Sequence, residues 1–422
     1  MSFTLATVQG LALGLFLWLC APWLAVFFEI PQLESLVQFL ALRPVLAGLG
    51  TTSQAILSRN LEFRYLALVN LQSFLISYAL VGVSLALMGY GAWALAWAQV
   101  IQQVYFLTAV YRKVRHSLRP SLALVEMPGL FSFGLAGVFA QLGRYAGRNG
   151  DSLIITRFLG AEALGFYRRA DGLVQAPVTL FSGILSNVLF PAFSSVQTEP
   201  ERLRSAYRGA VASVSLVCTP PLVWIAVVAP ELVRGLFGSN WEPAVPALRV
   251  LVFAGIARSV DEVGNALVRA IGITVGRVVR DLFYALGVVC GSLAGLPWGL
   301  AGVAAGVAVA NAIPYLLTVR MTRQLIGITW KEFFGSQVAA WGIAGLVGAV
   351  ALAATSWART LGFSDLGTLV VVALPSAATV LLVWFAVPRR YLGCSASWAI
   401  SQLEDRWRNR AAWLAINSKN RS

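Results

Sequence analysis

Stretches of about 20 mostly apolar residues, the length an α-helix needs to cross the hydrocarbon core of a bilayer, recur along nearly the whole chain. Twelve are readable, at 5–28, 35–57, 65–88, 91–111, 128–156, 165–192, 207–229, 243–270, 278–295, 298–318, 335–355 and 366–387. The composition excludes the alternative of a soluble core. Hydrophobic residues make up 58% and charged residues 12% of the chain, with a mean hydropathy of +0.74. A soluble domain of 422 residues needs far more charge to cover its surface and would otherwise expose large apolar patches. The first run lacks a basic leader, so it reads as a span and not as a cleavable signal.

The formal charge is +14, carried almost wholly by arginine, since lysine occurs only at Lys113, Lys331 and Lys419. Most of these residues fall in short loops between apolar runs, so the charge reports topology and not nucleic-acid binding. One set of loops holds Arg59, Arg64, Arg112, Lys113, Arg115, Arg119, Arg202, Arg204, Arg208, Arg277, Arg280, Arg320, Arg323 and Lys331; the opposite set holds only Arg234 and Arg359. This asymmetry predicts an even number of spans with both termini in the cytoplasm. Beyond Arg390, Trp398, Leu403, Trp407, Ala411 and Leu414 recur at helical spacing among Arg406, Arg408 and Arg410, a pattern for either an amphipathic surface helix or a disordered basic tail. Cys20, Cys218, Cys290 and Cys394 are scattered, and the one histidine, His116, sits in a basic loop. Neither a disulfide framework nor a metal site follows, and no cofactor is expected.

Two segments about 210 residues apart resemble each other. "AILSRNLEF" around Arg59 parallels "ALVRAIGIT" around Arg269, and each precedes a span and a Gly/Ala-rich hairpin, "GYGAWALAWAQV" from Gly89 and "GLAGVAAGVAVA" from Gly299. A parallel repeat of this kind is a transporter signature, with substrate held where the halves meet.

Ionisable residues inside the less apolar spans are the candidate site. An intramembrane charge costs roughly 2.5–3.5 kcal/mol and normally faces a bundle interior or a wet cavity. Arg144, Arg148 and Asp151 lie at i, i+4 and i+7, on one helical face; Arg258, Asp261, Glu262, Asn265 and Arg269 form a second stripe; Arg168, Arg169 and Asp171 open the sixth span. Two readings stand open. The charges lock helices together, for example as Arg148–Asp151 and Arg258–Glu262 pairs, or they line a positive pathway suited to an anionic substrate, since guanidinium forks match phosphate oxygens. Arg43 and Arg249 either line the same pathway or snorkel to an interface. Asp261 and Glu262 are equally readable as ligands of a coupling cation or as partners of Arg258.

The block "GRNGDSLIITRFLGAEALGFYRRADGLVQAPVTLFSGILSNVLFPAFSSVQ", residues 147–197, carries an Arg-Asn-x-Asp pattern, then R-F-L-G-x-x-x-L-G-x-Y, then L-F-P-A-F. With "LSRNLEFRYLALVNL" and "GYGAWALA", it resembles the bacterial Wzx-type polysaccharide flippases of the multidrug/oligosaccharidyl-lipid/polysaccharide exporter superfamily. The resemblance implies an all-α polytopic membrane protein of two pseudo-symmetric, MATE-like helical bundles. It implies about 12 transmembrane helices here, because the family's usual first two, about 80 residues, align ahead of Met1. The divisions expected are a partial N-terminal bundle at 1–120, a C-terminal bundle at 121–330, two additional spans at 331–390 and the basic tail at 391–422.

The implied activity is movement of an undecaprenyl-diphosphate-linked oligosaccharide across the bacterial inner membrane by alternating access around a cationic cavity. Arg144, Arg148, Arg168, Arg258 and Arg269 are its expected substrate contacts, and Asp151, Asp171, Asp261 and Glu262 its coupling or ion-pair groups. The partners expected are an anionic lipid-linked oligosaccharide, the lipid bilayer and other polysaccharide-assembly membrane proteins, with H+, Na+ or the membrane potential open as energy source. A cation-coupled drug exporter of the same fold would favour an acidic cavity, and a membrane glycan polymerase or ligase a long outer loop with acidic or His residues. The longest loop on that side is only about 228–242. No catalytic chemistry is expected, and Arg148 and Arg258 stand as equivalents, each needed for transport and neither for insertion.

Overall fold

The computed structural model describes residues 2–115, 145, 147–272 and 275–386, with side chains for all of these except 2, 181–187, 275–279, 281 and 383–386. Every regular element among the described residues is helical. The basic tail, read as an amphipathic helix or a disordered segment, His116, Arg144 and most of the fifth apolar run lie outside the described residues. Among the described residues, seven helical stretches are long and apolar enough to cross a membrane, and several of them, Leu282–Ile326 included, hold more than one helix. Large apolar side chains such as Trp23, Val26 and Leu382 point outward from them, as a multi-pass membrane protein in lipid requires.

The chain divides into two compact units, Met1–Val138 and Phe139–Ser422. The first unit contains α1 (Ser2–Phe28), α2 (Gln32–Leu40), α3 (Leu42–Arg59), α4 (Phe63–Phe74), a π-helical segment (Leu75–Gly82), α5 (Val83–Leu87) and α6 (Ala92–Lys113). The run at 35–57 is therefore broken at Ala41, and the run at 65–88 changes helical type midway. In the π segment the Ser77 hydroxyl turns back to the Ser73 carbonyl at 2.5 Å, satisfying backbone that the wider turn leaves poorly paired. Helices α1 and α3 cross on small residues. A Cβ on Gly10 would lie 2.5 Å from the Pro44 carbonyl oxygen, and one on Gly48 2.5 Å from that of Ala6, so the backbones approach as closely as helices in lipid permit.

The second unit runs through α7 (147–158), α8 (Gly160–Ser195), α9 (Pro200–Val227), α10 (Ala229–Phe237), α11 (Ala244–Ile271), α12 (Val275–Gly295), α13 (Gly299–Ile326), α14 (Trp330–Gly335), α15 (Val338–Thr360) and α16 (Asp365–Ala386). Between α7 and α8, Gly160 adopts φ +90°, a conformation that a side chain would strain. Its core has three apolar clusters among the described residues, the smallest formed by Val228, Ala351 and Val372. Of the larger two, Ile155, Tyr167, Leu222, Leu248 and Val307 belong to one, and Phe193, Tyr207, Val214, Leu267 and Phe333 to the other. The repeated segments share one element order. In each, a helix ends at a positive-φ residue (Leu61 or Gly272), a second helix follows, and a positive-φ glycine (Gly89 or Gly299) leads to a third.

Two parts of the sequence reading change here. The ninth run starts at Val275 and not at residue 278, so Arg280, taken as a loop charge, lies in the second turn of α12 and is 6% exposed. The loop at 228–242 contains α10, whose Glu231 is 1% exposed and pairs with Arg359 at the end of α15. Arg234, one turn on, reaches Asp365 at 3.1 Å and Glu242 at 3.4 Å. The hydrogen bond to Asp365 raises the Arg234 pKa above its already high ordinary value. The two basic residues left on the sparsely charged side are thus engaged by acids and clasp α10 to α15 and α16. On another junction, Glu332 closes a capping box with Thr329 and accepts from Arg204 at 2.7 Å, joining α14 to α9.

Helices α12 and α13 pack on glycine as well: a Cβ on Gly291 would meet the Gly306 carbonyl oxygen at 2.6 Å. Replacing Gly306 by Leu forces the pair apart and lowers stability by about 3 kcal/mol. Gly342→Ala on α15, where nothing lies within 4 Å of the added carbon, leaves stability unchanged or raises it by up to about 1 kcal/mol. Thermal melts of the purified variants in detergent distinguish the two, and equal melts would show that the crossing is not set by glycine.

Candidate functional site

The candidate residues of the second unit separate by burial. Tyr167 and Asp171 stand one turn apart on α8 and so share a face. The Tyr167 hydroxyl, fully buried, donates to Asp151 Oδ2 on α7 at 2.6 Å. Asp151 Oδ1 accepts from the Ser152 N–H at 2.7 Å and the Ser152 hydroxyl at 3.2 Å. Both carboxylate oxygens are therefore occupied within the protein. The Arg148–Asp151 pair, one of the two readings the spacing left open, does not form; a buried hydroxyl on the neighbouring helix takes the acid instead, as burial demands of both groups.

Asp171 faces α11. Arg258 Nη1 lies 3.1 Å from Asp171 Oδ1, with each side chain 19% exposed. Arg258 Nε donates to Asn311 Oδ1 on α13 at 3.0 Å, and Asn311 is held in turn by its Nδ2 bond to the Val307 carbonyl at 2.8 Å. Close helix approach makes this reach available. Beside Gly255, one turn before Arg258, a Cβ would lie 2.5 Å from Val174 on α8. Arg258 is thus paired across helices with Asp171 and not along its own helix with Asp261 or Glu262, because the interhelical partner satisfies two buried charges at once.

One turn along α11, Asp261 joins a second group. Its Oδ2 accepts from Asn265 Nδ2 at 2.9 Å and its Oδ1 from the Thr318 hydroxyl at 2.7 Å. Arg280 donates to Asn265 Oδ1 at 2.5 Å and to Thr318 at 2.8 Å. Asp151, Asp171 and Asp261 are all consumed by internal bonds.

The remaining candidates are exposed. Arg148 on α7 makes no ion pair among the described residues, and Arg168 on α8 donates only to Asn149 Oδ1, at 2.7 Å. Asn149 follows Arg148 directly, so this bond sets the Arg168 guanidinium against the turn that carries Arg148. Arg269 is exposed in the last turn of α11, and Glu262 is exposed farther back on it. The neighbouring Arg169 stacks instead over Phe237 and Trp241, 5.7 and 5.9 Å from their centroids, which ties α8 to α10 and the turn after it. In the first unit Arg43 donates to Gln99 at 3.2 Å, and in the second Arg249 donates to the Ala226 carbonyl at 3.4 Å near the end of α9. Both bonds serve local structure.

Tyr167, Arg280, Asn311 and Thr318 were absent from the expected site. Asn311 had a readable signal, a lone amide in the apolar run "VAVANAIPYL", whose two donors and acceptor need partners in lipid. Tyr167 closes the R-F-L-G-x-x-x-L-G-x-Y pattern, which marks the position but not its hydrogen-bond partner, and Thr318 carried no signal, since threonine is ordinary in apolar helices.

Residues 1–246, more than half of the chain, match the family described as polysaccharide biosynthesis protein. The teichuronic acid biosynthesis protein TuaB of Bacillus subtilis is 31% identical over 263 residues, 61% of this chain and 53% of that protein. The lipopolysaccharide biosynthesis protein WzxC of Escherichia coli is 25% identical over 319 residues, 72% of this chain and 62% of that one. The chain therefore spans a little over half the length of these curated relatives. A structure of the lipid II flippase MurJ in an inward closed conformation shares the fold at a TM-score of 0.71 and 14% identity, over 91% of this chain and 84% of that one. By the match over its first 246 residues, this chain belongs to the polysaccharide biosynthesis protein family.

Proposed function

We propose that this chain moves an anionic, lipid-linked oligosaccharide from one leaflet of the bacterial inner membrane to the other, with both termini in the cytoplasm and no covalent chemistry. The observation that carries this reading is the division of charge in the second unit. The carboxylates of Asp151, Asp171 and Asp261 are spent on internal partners, while Arg148 and Arg168 present exposed guanidinium groups. The outward field is positive, and a planar fork of donors suits a phosphate. The names of TuaB, a teichuronic acid biosynthesis protein, and WzxC, a lipopolysaccharide biosynthesis protein, support an oligosaccharide as the cargo. The diphosphate linking lipid to glycan is the group that Arg148 and Arg168 would hold, and Arg269 is the third exposed cation of the set. Glu262, exposed on α11, is the acid assigned to coupling with H+ or Na+.

Arg258 takes a different part. Paired with Asp171 and turned toward Asn311, it positions α8, α11 and α13, and it touches substrate only if that pair opens.

Complementation of a strain lacking its own flippase tests the assignment. Each charge-assisted contact contributes about 1.5–3 kcal/mol, so Arg148→Ala or Arg168→Ala weakens substrate binding by about ten- to a hundredfold. The double variant loses complementation at normal membrane abundance, and Lys at either position restores part of it. Full complementation by R148A/R168A would remove these residues from the substrate path.

For Arg258 the expected loss is of stability. Arg258→Ala strands Asp171 at a cost of about 3–5 kcal/mol, and adding Asp171→Asn recovers part of that loss. Melting temperatures of R258A, D171N and the double variant read the coupling; additive losses would separate the two residues.

A further inference from the structure

Arg280 is the one basic side chain buried below a tenth of its surface among the described residues, and the contacts of its Nη1 do not have the form of an ordinary salt bridge. An arginine that simply neutralises an aspartate lays its fork along the carboxylate. Here Nη1 lies 3.7 Å from Asp261 Oδ1 but 2.5 Å from Asn265 Oδ1 and 2.8 Å from Thr318 Oγ1. The neutral oxygens are the nearer ligands, and the carboxylate stands behind them.

Asp261 also sets how those ligands point. Its Oδ1 takes the Thr318 hydroxyl proton at 2.7 Å, and its Oδ2 takes an Asn265 amide proton at 2.9 Å. Each donor is thereby turned toward the acid, and the lone pairs of Thr318 and Asn265 converge on a single position. Gly264 completes the arrangement, because a Cβ there would collide with the Thr318 methyl group. Three oxygens from α11 and α13, one of them anionic, converge on one guanidinium nitrogen in a nearly dry site, as oxygen ligands converge on a dehydrated cation.

We propose that Asp261, Asn265 and Thr318 form a monovalent-cation cage that Arg280 fills from within as a tethered cation. It follows that the cage accepts a free cation only when the guanidinium is removed, and that this part of the bundle needs no soluble ion to hold α11, α12 and α13 together. The inference is independent of what the chain transports.

Melting of the full-length protein in detergent tests it, with matched, non-denaturing concentrations of choline, sodium, potassium or guanidinium chloride. The native protein melts at one temperature in all four. Arg280→Ala melts roughly 10 °C lower in choline and regains most of that loss in sodium, potassium or guanidinium. The regain disappears in D261N/R280A, where the oxygens lose their orienting charge. The proposal is overturned by R280A melting like the native protein, by an equal response to all four salts, or by a rescue that survives Asp261→Asn. If R280A does not accumulate, R280Q, which keeps amide donors but no charge, carries the same comparison. Cells supply potassium to fill an opened cage, so failure of both variants to accumulate also overturns it.

Discussion

A charge placed in lipid has to meet its opposite there, and in the second unit that requirement fixes which helices touch. Arg258 and Asp171 lie on α11 and α8, 3.1 Å apart, with Asn311 of α13 completing the guanidinium's bonds. Neither helix can rotate without stranding an ion, and the small residue at Gly255 exists at the point where α8 must come close enough for the pair to form. The Tyr167–Asp151 bond does the same between α8 and α7, and Asp261 the same for α11 and α13. Apolar packing fills the space between these points, but lipid is as apolar as leucine, so packing alone specifies few rotations.

The division between buried and exposed arginine follows from the same constraint. A guanidinium that has met a carboxylate has little field left to offer a ligand, whereas Arg148 and Arg168 retain theirs. Stripes that look equivalent in sequence therefore contain two populations, one buried and paired that builds the bundle and one left exposed. The family match and the apolar helices agree with a membrane protein of polysaccharide biosynthesis, and the charge separation picks out residues to substitute when that role is examined.

Much of the architecture was legible because its causes are local. Twenty-residue apolar runs, glycine hairpins at Gly89 and Gly299, and the R-F-L-G pattern ending α7 are all written in consecutive residues. The site was legible only in part, because pairing is not local. Spacing on one helix pointed to Arg258–Glu262 and Arg148–Asp151; the partners are Asp171 and Tyr167, on other helices. Arg280 was misread for a related reason. A positive residue at the head of an apolar run resembles a topogenic loop charge, and only the helix packed against it reveals that it is buried. Asn311 shows that a lone amide in an Ala/Val helix deserves the same scrutiny as a charge.

The π-helical segment at Leu75–Gly82 bears on how this span tolerates change over evolutionary time. A π turn holds one residue more than an α turn, so the segment is in effect a stored insertion, with the helix on either side kept in its own register. A descendant lacking one residue there can close the segment into ordinary α-helix, where a deletion elsewhere would swing half the span by about 100° about its axis. Length variation among relatives in this span should accordingly collect between Leu75 and Gly82. The faces that α4 and α5 turn to their neighbours would be preserved across it.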